Sequence, residues 1–256
     1  GEVPESSLYS VTLETIMTTI ETQLQTVLDR MAAACRMAGR SATEVGLLAV
    51  SKTFPATAVA EAFSAGQRAF GENYIQEGVE KIAALRDLPI EWHCIGPIQS
   101  NKTRLVAENF DWVHTIDRLK IAQRLSAQRP GDKAPLQVCI QVNVDAGENK
   151  SGVSPADALA LARQVALLPG LRLRGLMCIP EPAPDFVAAC AVFSGARALF
   201  DAINAAGVPL DTLSMGMSGD LEAAIASGST MVRVGSAVFG LRPPPYAVFT
   251  SAAQSV

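Results

Sequence analysis

The sequence predicts an α/β protein: a single (β/α)8 barrel of the TIM type, preceded by one extra N-terminal helix. Three observations lead there. After Gly39 the hydrophobic period switches repeatedly between two and 3.6. The short β-like runs alternate with longer helical ones, which requires a parallel sheet because each crossover returns the chain to the same edge. Eight such units in about 200 residues is the repeat count of a closed barrel. A doubly wound open sheet is the rival arrangement, but its G-x-G-x-x-G fingerprint is absent after the first strand.

The elements follow in order. Leu13, Ile16, Met17, Ile20, Leu24, Val27, Leu28 and Met31 fall at i, i+3, i+4, i+7 spacing and form the apolar stripe of one long helix ending at Gly39. This helix reads as a packing element. The strands are expected at Val45–Ser51, Arg68–Gly71, Glu91–Ile95, Trp112–Ile116, Leu136–Val144, Arg172–Ile179, Thr212–Met217 and Met231–Phe239. Helices are expected between them, among them Ala56–Ala65, Ile75–Leu85, Ala156–Leu167, Phe186–Ala205 and Leu221–Ala226. A further helix starts near Gln99–Lys102, with Ser100 or Asn101 as its cap. The barrel domain is bounded at residues 11–242, between a disordered tail over 1–10 and a C-terminal tail over 243–256.

Composition narrows the function. The chain has 256 residues, 49% hydrophobic and 18% charged, with a net charge of −4, the profile of a soluble globular protein large enough to build its own core. Mild acidity disfavours a nucleic-acid or anionic-membrane surface. The longest uninterrupted apolar runs are far too short to span a bilayer, and residues 1–10 lack the basic and apolar regions of a secretory signal. Five cysteines, Cys35, Cys94, Cys139, Cys178 and Cys190, show no C-x-x-C spacing and suit buried thiols in a reducing cytoplasm. With only His93 and His114 present, no histidine-rich metal cluster is expected, and both read as core histidines.

A barrel of this kind carries its site at the C-terminal ends of its strands. Those ends are Lys52; Gly71, Glu72 and Asn73; Gly96-Pro97; Thr115 to Asp117; Asn143 and Asp145; Met177; Met217-Ser218-Gly219; and Arg233 to Ser236. Leu48, Val50 and Lys52 share one strand face, so Lys52 points into the barrel mouth. Partial desolvation would lower its pKa and make neutral amine available for a Schiff base with an aldehyde, while the plainer alternative is a lysine that snorkels to solvent. Ser218 and Gly219 precede a helical run, and Gly235-Ser236 closes the last strand, the two places where this fold recurrently binds phosphate. Ser218 could equally cap the helix, with Asp220 in its first turn, and Gly235 could be a simple bend. An amine facing a phosphate cup suggests an aldehyde that carries a phosphate.

Seven segments carry a family resemblance: Leu47–Thr53, Phe70–Glu77, Trp92–Lys102, His114–Arg118, Asn149–Gly152, Gly175–Met177, and Gly216–Ser218 through Arg233–Ser236. From about Val11 to Gly240 the chain resembles the pyridoxal phosphate homeostasis protein family (YggS/PROSC). Ser236 stands where relatives often have Thr, which keeps the hydroxyl. The resemblance implies a fold-type III barrel similar to the N-terminal domain of alanine racemase, with pyridoxal 5′-phosphate (PLP) held as a Schiff base on Lys52. It places the phosphate on Ser218, Gly219, Gly235 and Ser236, with Met217 at the same strand end, Asn73 beside the cofactor and Arg233 facing the pyridine nitrogen. Lys150, in Asn149–Gly152, could be a secondary amine near the mouth that assists PLP transfer, or simply a solvated loop lysine.

An arginine at the ring nitrogen only donates hydrogen bonds, so the nitrogen stays unprotonated and the ring is a poor electron sink. Racemases of this fold work with the same arrangement but add a second domain carrying a tyrosine acid/base. Here only Tyr9, Tyr74 and Tyr246 exist, in no racemase motif. The family is regarded as non-catalytic, a PLP carrier or regulator that hands the aldehyde on, so no catalytic residues are assigned and PLP-dependent apo-enzymes are the expected partners. The cysteines point to the cytoplasm, no metal is expected, and the lack of the racemase domain, the usual dimer-forming element, points to a monomer. Three alternatives stand beside it: a fold-type III PLP enzyme such as an amino-acid racemase, a class I aldolase using Lys52 on a sugar phosphate, and a purely structural barrel. Glu72 is set aside because a carboxylate beside a phosphate is repelled.

Overall fold

The computed structural model describes residues 6–145 and 151–241, with side chains described from residue 19 onward. Eight parallel strands pair in chain order and close on themselves, β1 with β8. They are β1 (Gly46–Val50), β2 (Ala69–Glu72), β3 (Glu91–Cys94), β4 (Trp112–Ile116), β5 (Leu136–Gln141), β6 (Leu171–Met177), β7 (Thr212–Met217) and β8 (Met231–Val234). The helices are α1 (Ser6–Met37), α2 (Ala56–Ser64), α3 (Ile75–Ala84), α4 (Thr103–Asn109), α5 (Leu119–Gln128), α6 (Pro155–Ala166), α7 (Phe186–Ala205), α8 (Leu221–Ala226) and α9 (Ser236–Phe239). The barrel expected from the alternation is the one observed, extra N-terminal helix included.

Period two sorts the residues into layers. In β1, Leu47 and Ala49 join the large core between the barrel and its helices, while Leu48 and Val50 pack with Ile95 in a separate cluster. A methyl group placed on Gly71 would meet Ile95 and Leu48, so that second cluster is the barrel interior. Trp112, Cys139 and Met177 fill another part of it. The interior also holds His93, His114, Ser214 and Arg233, all buried. Polar groups there must be hydrogen-bonded to be tolerated.

Several boundaries differ from the sequence expectation. The eighth strand ends at Val234 rather than Phe239: Val238 and Phe239 N–H both donate to Gly235 O, at 2.9 and 3.0 Å, and turn the chain into α9. The Phe239 ring then stacks on Phe54, centroids 5.1 Å apart. The fifth strand ends at Gln141, with Val142 in a lone bridge to Val153, and the sixth ends at Met177. Ser100 and Asn101 do not cap α4; they lie in a 3-10 turn, and the Thr103 hydroxyl donates to Ser100 O at 3.1 Å. Helix α1 stops at Met37, just before Gly39, and starts at Ser6, inside the segment set apart as a tail. Residues 1–5, 146–150 and 242–256, which include Lys150 and the C-terminal tail, lie outside the described residues.

By length and composition α7 could cross a membrane. In the barrel it is an outer helix whose Phe193, Phe200 and Ile203 are buried in the core, started by Asp185, whose side chain accepts from Ala188 N–H at 2.8 Å. All five cysteines are free thiols, four of them buried, and burial pushes the Cys94 and Cys139 thiols up to about 12.

Candidate functional site

The strand ends build a cavity of about 310 Å3 at the mouth. It is lined by Lys52, Asn73, Met217, Ser218, Gly219, Arg233, Gly235 and Ser236, together with Val50, Ile95 and Ile179. All eight residues proposed from the sequence as cofactor contacts therefore converge on one space. A larger cavity of about 530 Å3 adjoins it, sharing Asn73, Ile95, Ile179 and Met217 and adding Thr115, Asn143, Asp145 and Glu181.

The first wall comes from β1 and β2. Lys52 follows the last residue pair of β1, and Thr53 after it takes φ +68°, the only non-glycine positive φ among the described residues. A branched residue holds that conformation only under external constraint. The constraint is present: Thr53 N–H donates to the Glu77 carboxylate at 2.6 Å. Glu77 in turn pairs with Lys81 at 2.8 Å, and Lys81 reaches Glu72 at 2.6 Å and Ser51 O at 2.7 Å. Lys52 is thus flanked on both sides in sequence by residues tied to one buried ion cluster. Burial pushes the Glu72 carboxyl up to about 7, against the lowering influence of Lys81. Two carboxylates share one ammonium, and the deeper one gives way.

Asn73 sits beside this wall. Gly96 packs so closely on it that a Cβ there would lie 2.0 Å from Asn73 O, so only glycine permits the approach. The Asn73 Oδ1 is buried without a hydrogen-bond partner.

The opposite wall comes from β7 and β8. Asp220 is the residue that starts α8, and its carboxylate accepts from Met217 N–H at 2.7 Å, tightening the loop through Ser218 and Gly219. Ser218 is therefore not the helix cap. Its carbonyl accepts from Arg30 Nη2 at 2.6 Å, and the same guanidinium pairs with Glu222. Gly235 lies against β1, where an added Cβ would stand 3.3 Å from Val50 O. Arg233 is buried, with Nη1 donating to Ser214 Oγ at 2.7 Å and Nη2 to Cys178 O at 3.0 Å. Burial lowers its pKa from the ordinary arginine value, yet a guanidinium starts so high that it stays charged.

The family model for the alanine racemase N-terminal domain matches residues 26–243. A Pseudomonas aeruginosa protein named pyridoxal phosphate homeostasis protein is 58% identical over 226 residues, covering 88% of this chain and 97% of that protein. The protein of the same name from Escherichia coli K12 is 54% identical over 229 residues, covering 88% and 98%. The chain belongs to the pyridoxal phosphate homeostasis protein family. PipY of Synechococcus elongatus, solved with PLP bound, is 37% identical, with a TM-score of 0.75 over 86% of this chain and all of that one.

Three parts of the site in this family member were missed in the sequence reading. Arg30 lies on α1, read as packing alone, yet it holds the Ser218 loop. Glu77 and Lys81 share a face of α3 at i, i+4 spacing, a pattern common on solvated helices. Nothing in the sequence marks Lys81 as buried. Ile179, expected inside the sixth strand, lies beyond its end and lines both cavities. Tyr74 is exposed at the start of α3 and lines neither.

Proposed function

We propose that this protein binds PLP through a Schiff base on Lys52 and acts in PLP homeostasis as a carrier or regulator without catalytic turnover. The observation that carries the reading is the convergence of Lys52, Arg233 and the Ser218–Gly219 and Gly235–Ser236 loops on one cavity of about 310 Å3. That volume lies at the lower edge of the usual range for small-ligand sites, about 300–1,000 Å3. When bound, the cofactor supplies an aldehyde able to condense with an amine.

The residues present fit that group. Serine hydroxyls and loop amides on the β7–β8 side donate to a phosphate, and no carboxylate lines the cavity to repel it. Arg233 presents a permanent donor to the ring nitrogen. The buried, unpartnered Asn73 Oδ1 offers an acceptor to a hydroxyl on the ring. Lys52, on the facing wall, supplies the amine.

The proton inventory of the cavity supports absence of turnover. Among the residues lining this cavity only Lys52 and Arg233 are ionisable, and a guanidinium does not exchange protons near neutrality. The relatives named as homeostasis proteins match over nearly their whole length, which favours the same role here. A second reading, a PLP enzyme such as an amino-acid racemase, draws on Asp145 and Glu181 in the adjoining cavity, carboxylates able to act as acid or base. A monomer belongs to the same proposal. Apo-enzymes that need PLP are the partners this reading implies, with a cytoplasmic location, and Lys150 is proposed to assist the transfer.

Borohydride reduction of the PLP-loaded protein followed by peptide mapping tests the assignment. Label on the peptide containing Lys52 is expected, and label elsewhere, or none, contradicts it. Incubation with single-enantiomer amino acids separates the two readings: no racemisation supports the carrier, and sustained racemisation supports the enzyme.

A further inference from the structure

Arg233 is the end of a longer hydrogen-bond chain. Its Nη1 donates to Ser214 Oγ on β7, Ser214 Oγ meets His114 Nδ1 on β4 at 2.9 Å, His114 Nε2 meets His93 Nδ1 on β3 at 2.8 Å, and His93 Nε2 meets Glu91 Oε1 at 2.7 Å. Ser214, His93, His114 and Arg233 are buried, whereas Glu91 is half-exposed at the N-terminal end of β3. The chain crosses the barrel from the end opposite the cavity. Nothing in the proposed chemistry uses it, and a buried polar chain of this extent is costly unless every member is satisfied.

Its direction follows from its two ends. Arg233 only donates, so Ser214 Oγ accepts there and keeps its own proton to give to His114 Nδ1. At the other end Glu91 accepts from His93 Nε2–H; the Glu91 pKa is lowered chiefly by that hydrogen bond. Both imidazoles are then neutral, each with its proton on Nε2, and every contact has one donor and one acceptor. The opposite tautomers would set a bare His93 Nε2 against the carboxylate. Burial lowers the pKa of both rings; Glu91 and Asp111 oppose this at His93, and His93 and Arg233 reinforce it at His114. The His93 ring is also stacked on Trp112, centroids 5.0 Å apart, which fixes its plane.

We propose that Glu91, His93, His114 and Ser214 are positioning residues for Arg233: a one-directional hydrogen-bond chain through the barrel that sets how the guanidinium meets the ligand in the cavity. The inference rests on the PLP reading and deepens it. Among the described residues the hydrogen bonds of Arg233 go to neutral acceptors, Ser214 Oγ and Cys178 O, and Asp220 acts on the guanidinium only through space, so its charge is not taken up in an ion pair.

Two measurements test it. The chain contains only two histidines, so a long-range 1H–15N spectrum of the protein without PLP reads both tautomers directly. Nε2–H forms of both rings at neutral pH are expected; a dominant Nδ1–H form, or a charged imidazolium, overturns the chain's direction. PLP titrations of Ser214→Ala and Glu91→Leu then read its consequence. About fivefold weaker binding is expected, the loss of one hydrogen bond of about 1 kcal/mol, with a shifted pH profile of the visible band, and with Glu91→Gln, which keeps an acceptor, restoring the parent behaviour. Parent-like affinity and pH profile in both variants overturn the inference and leave the PLP reading intact. No visible band in the parent overturns the PLP reading, and the inference with it.

Discussion

The two walls of the mouth hold their cations in opposite ways. On the β1–β2 side Lys52 stands next to a cluster of ionisable groups, in which Lys81 bridges Glu72 and Glu77 and Glu77 clamps Thr53. On the β7–β8 side Arg233 is buried among neutral acceptors. The difference follows from the chemistry proposed for each. An amine that must form and release a covalent bond has to be placed accurately, and a strained residue beside it, locked by ion pairs, does so. A guanidinium that meets a ring nitrogen keeps a donor free for it when its other hydrogen bonds go to neutral groups and not to a paired carboxylate.

The largest effect expected is from Lys52→Ala, which removes the visible band of bound PLP entirely and leaves thermal stability close to that of the parent. Next is Lys81→Met. It strands two carboxylates around an apolar side chain and should destabilise the fold by about 3–5 kcal/mol, measured by denaturant unfolding, the usual cost of breaking a buried pair. The equivalent test on the other wall, Arg233→Met, should cost less stability and more ligand affinity: about 10- to 100-fold weaker PLP binding, because hydrogen bonds from a charged donor contribute about 1.5–3 kcal/mol.

A finer test uses pH. Burial holds Glu72 at about 7, above its value in the unfolded chain, so the folded state keeps a proton that the unfolded state releases at lower pH. Stability should therefore fall as pH rises from about 4.5 to about 7 and level off above, by on the order of 3 kcal/mol from this group alone. Glu72→Gln should flatten that slope in a series of unfolding curves. The smallest effect expected is from Arg30→Ala. Its ion pair with Glu222 is half-exposed and contributes little to stability, but releasing the Ser218 carbonyl should weaken PLP binding a few-fold. A change in stability without a change in affinity would return α1 to packing alone.

The barrel was legible because β1 and its seven successors alternate with helices, and because Leu48 and Val50 share the face that leads to Lys52. Eight of the residues lining the cavity were legible for a related reason: in this fold they sit at strand ends, and strand ends can be counted. Helix α9 was not legible, since Ala237-Val238-Phe239 reads as more strand and only the turn at Gly235, closed by two amides on its carbonyl, sets it apart. The supporting layer was not legible either. Ser51, Glu72 and Lys81 are brought together across some thirty residues by β1, β2 and α3, and Glu91, His114 and Arg233 across the barrel, from the neighbouring β3 and β4 to the neighbouring β7 and β8. Periodicity records which face a residue takes, not which partner waits across the barrel.

The central claim is that one cavity joins Lys52 to a phosphate cup and so binds PLP. The most direct test is a visible-absorption titration of the protein with PLP beside Lys52→Ala and Arg233→Met. The account predicts a saturable yellow band in the parent, none in Lys52→Ala, and a weakened band in Arg233→Met. A band of equal strength in Lys52→Ala, or none in the parent, would contradict it.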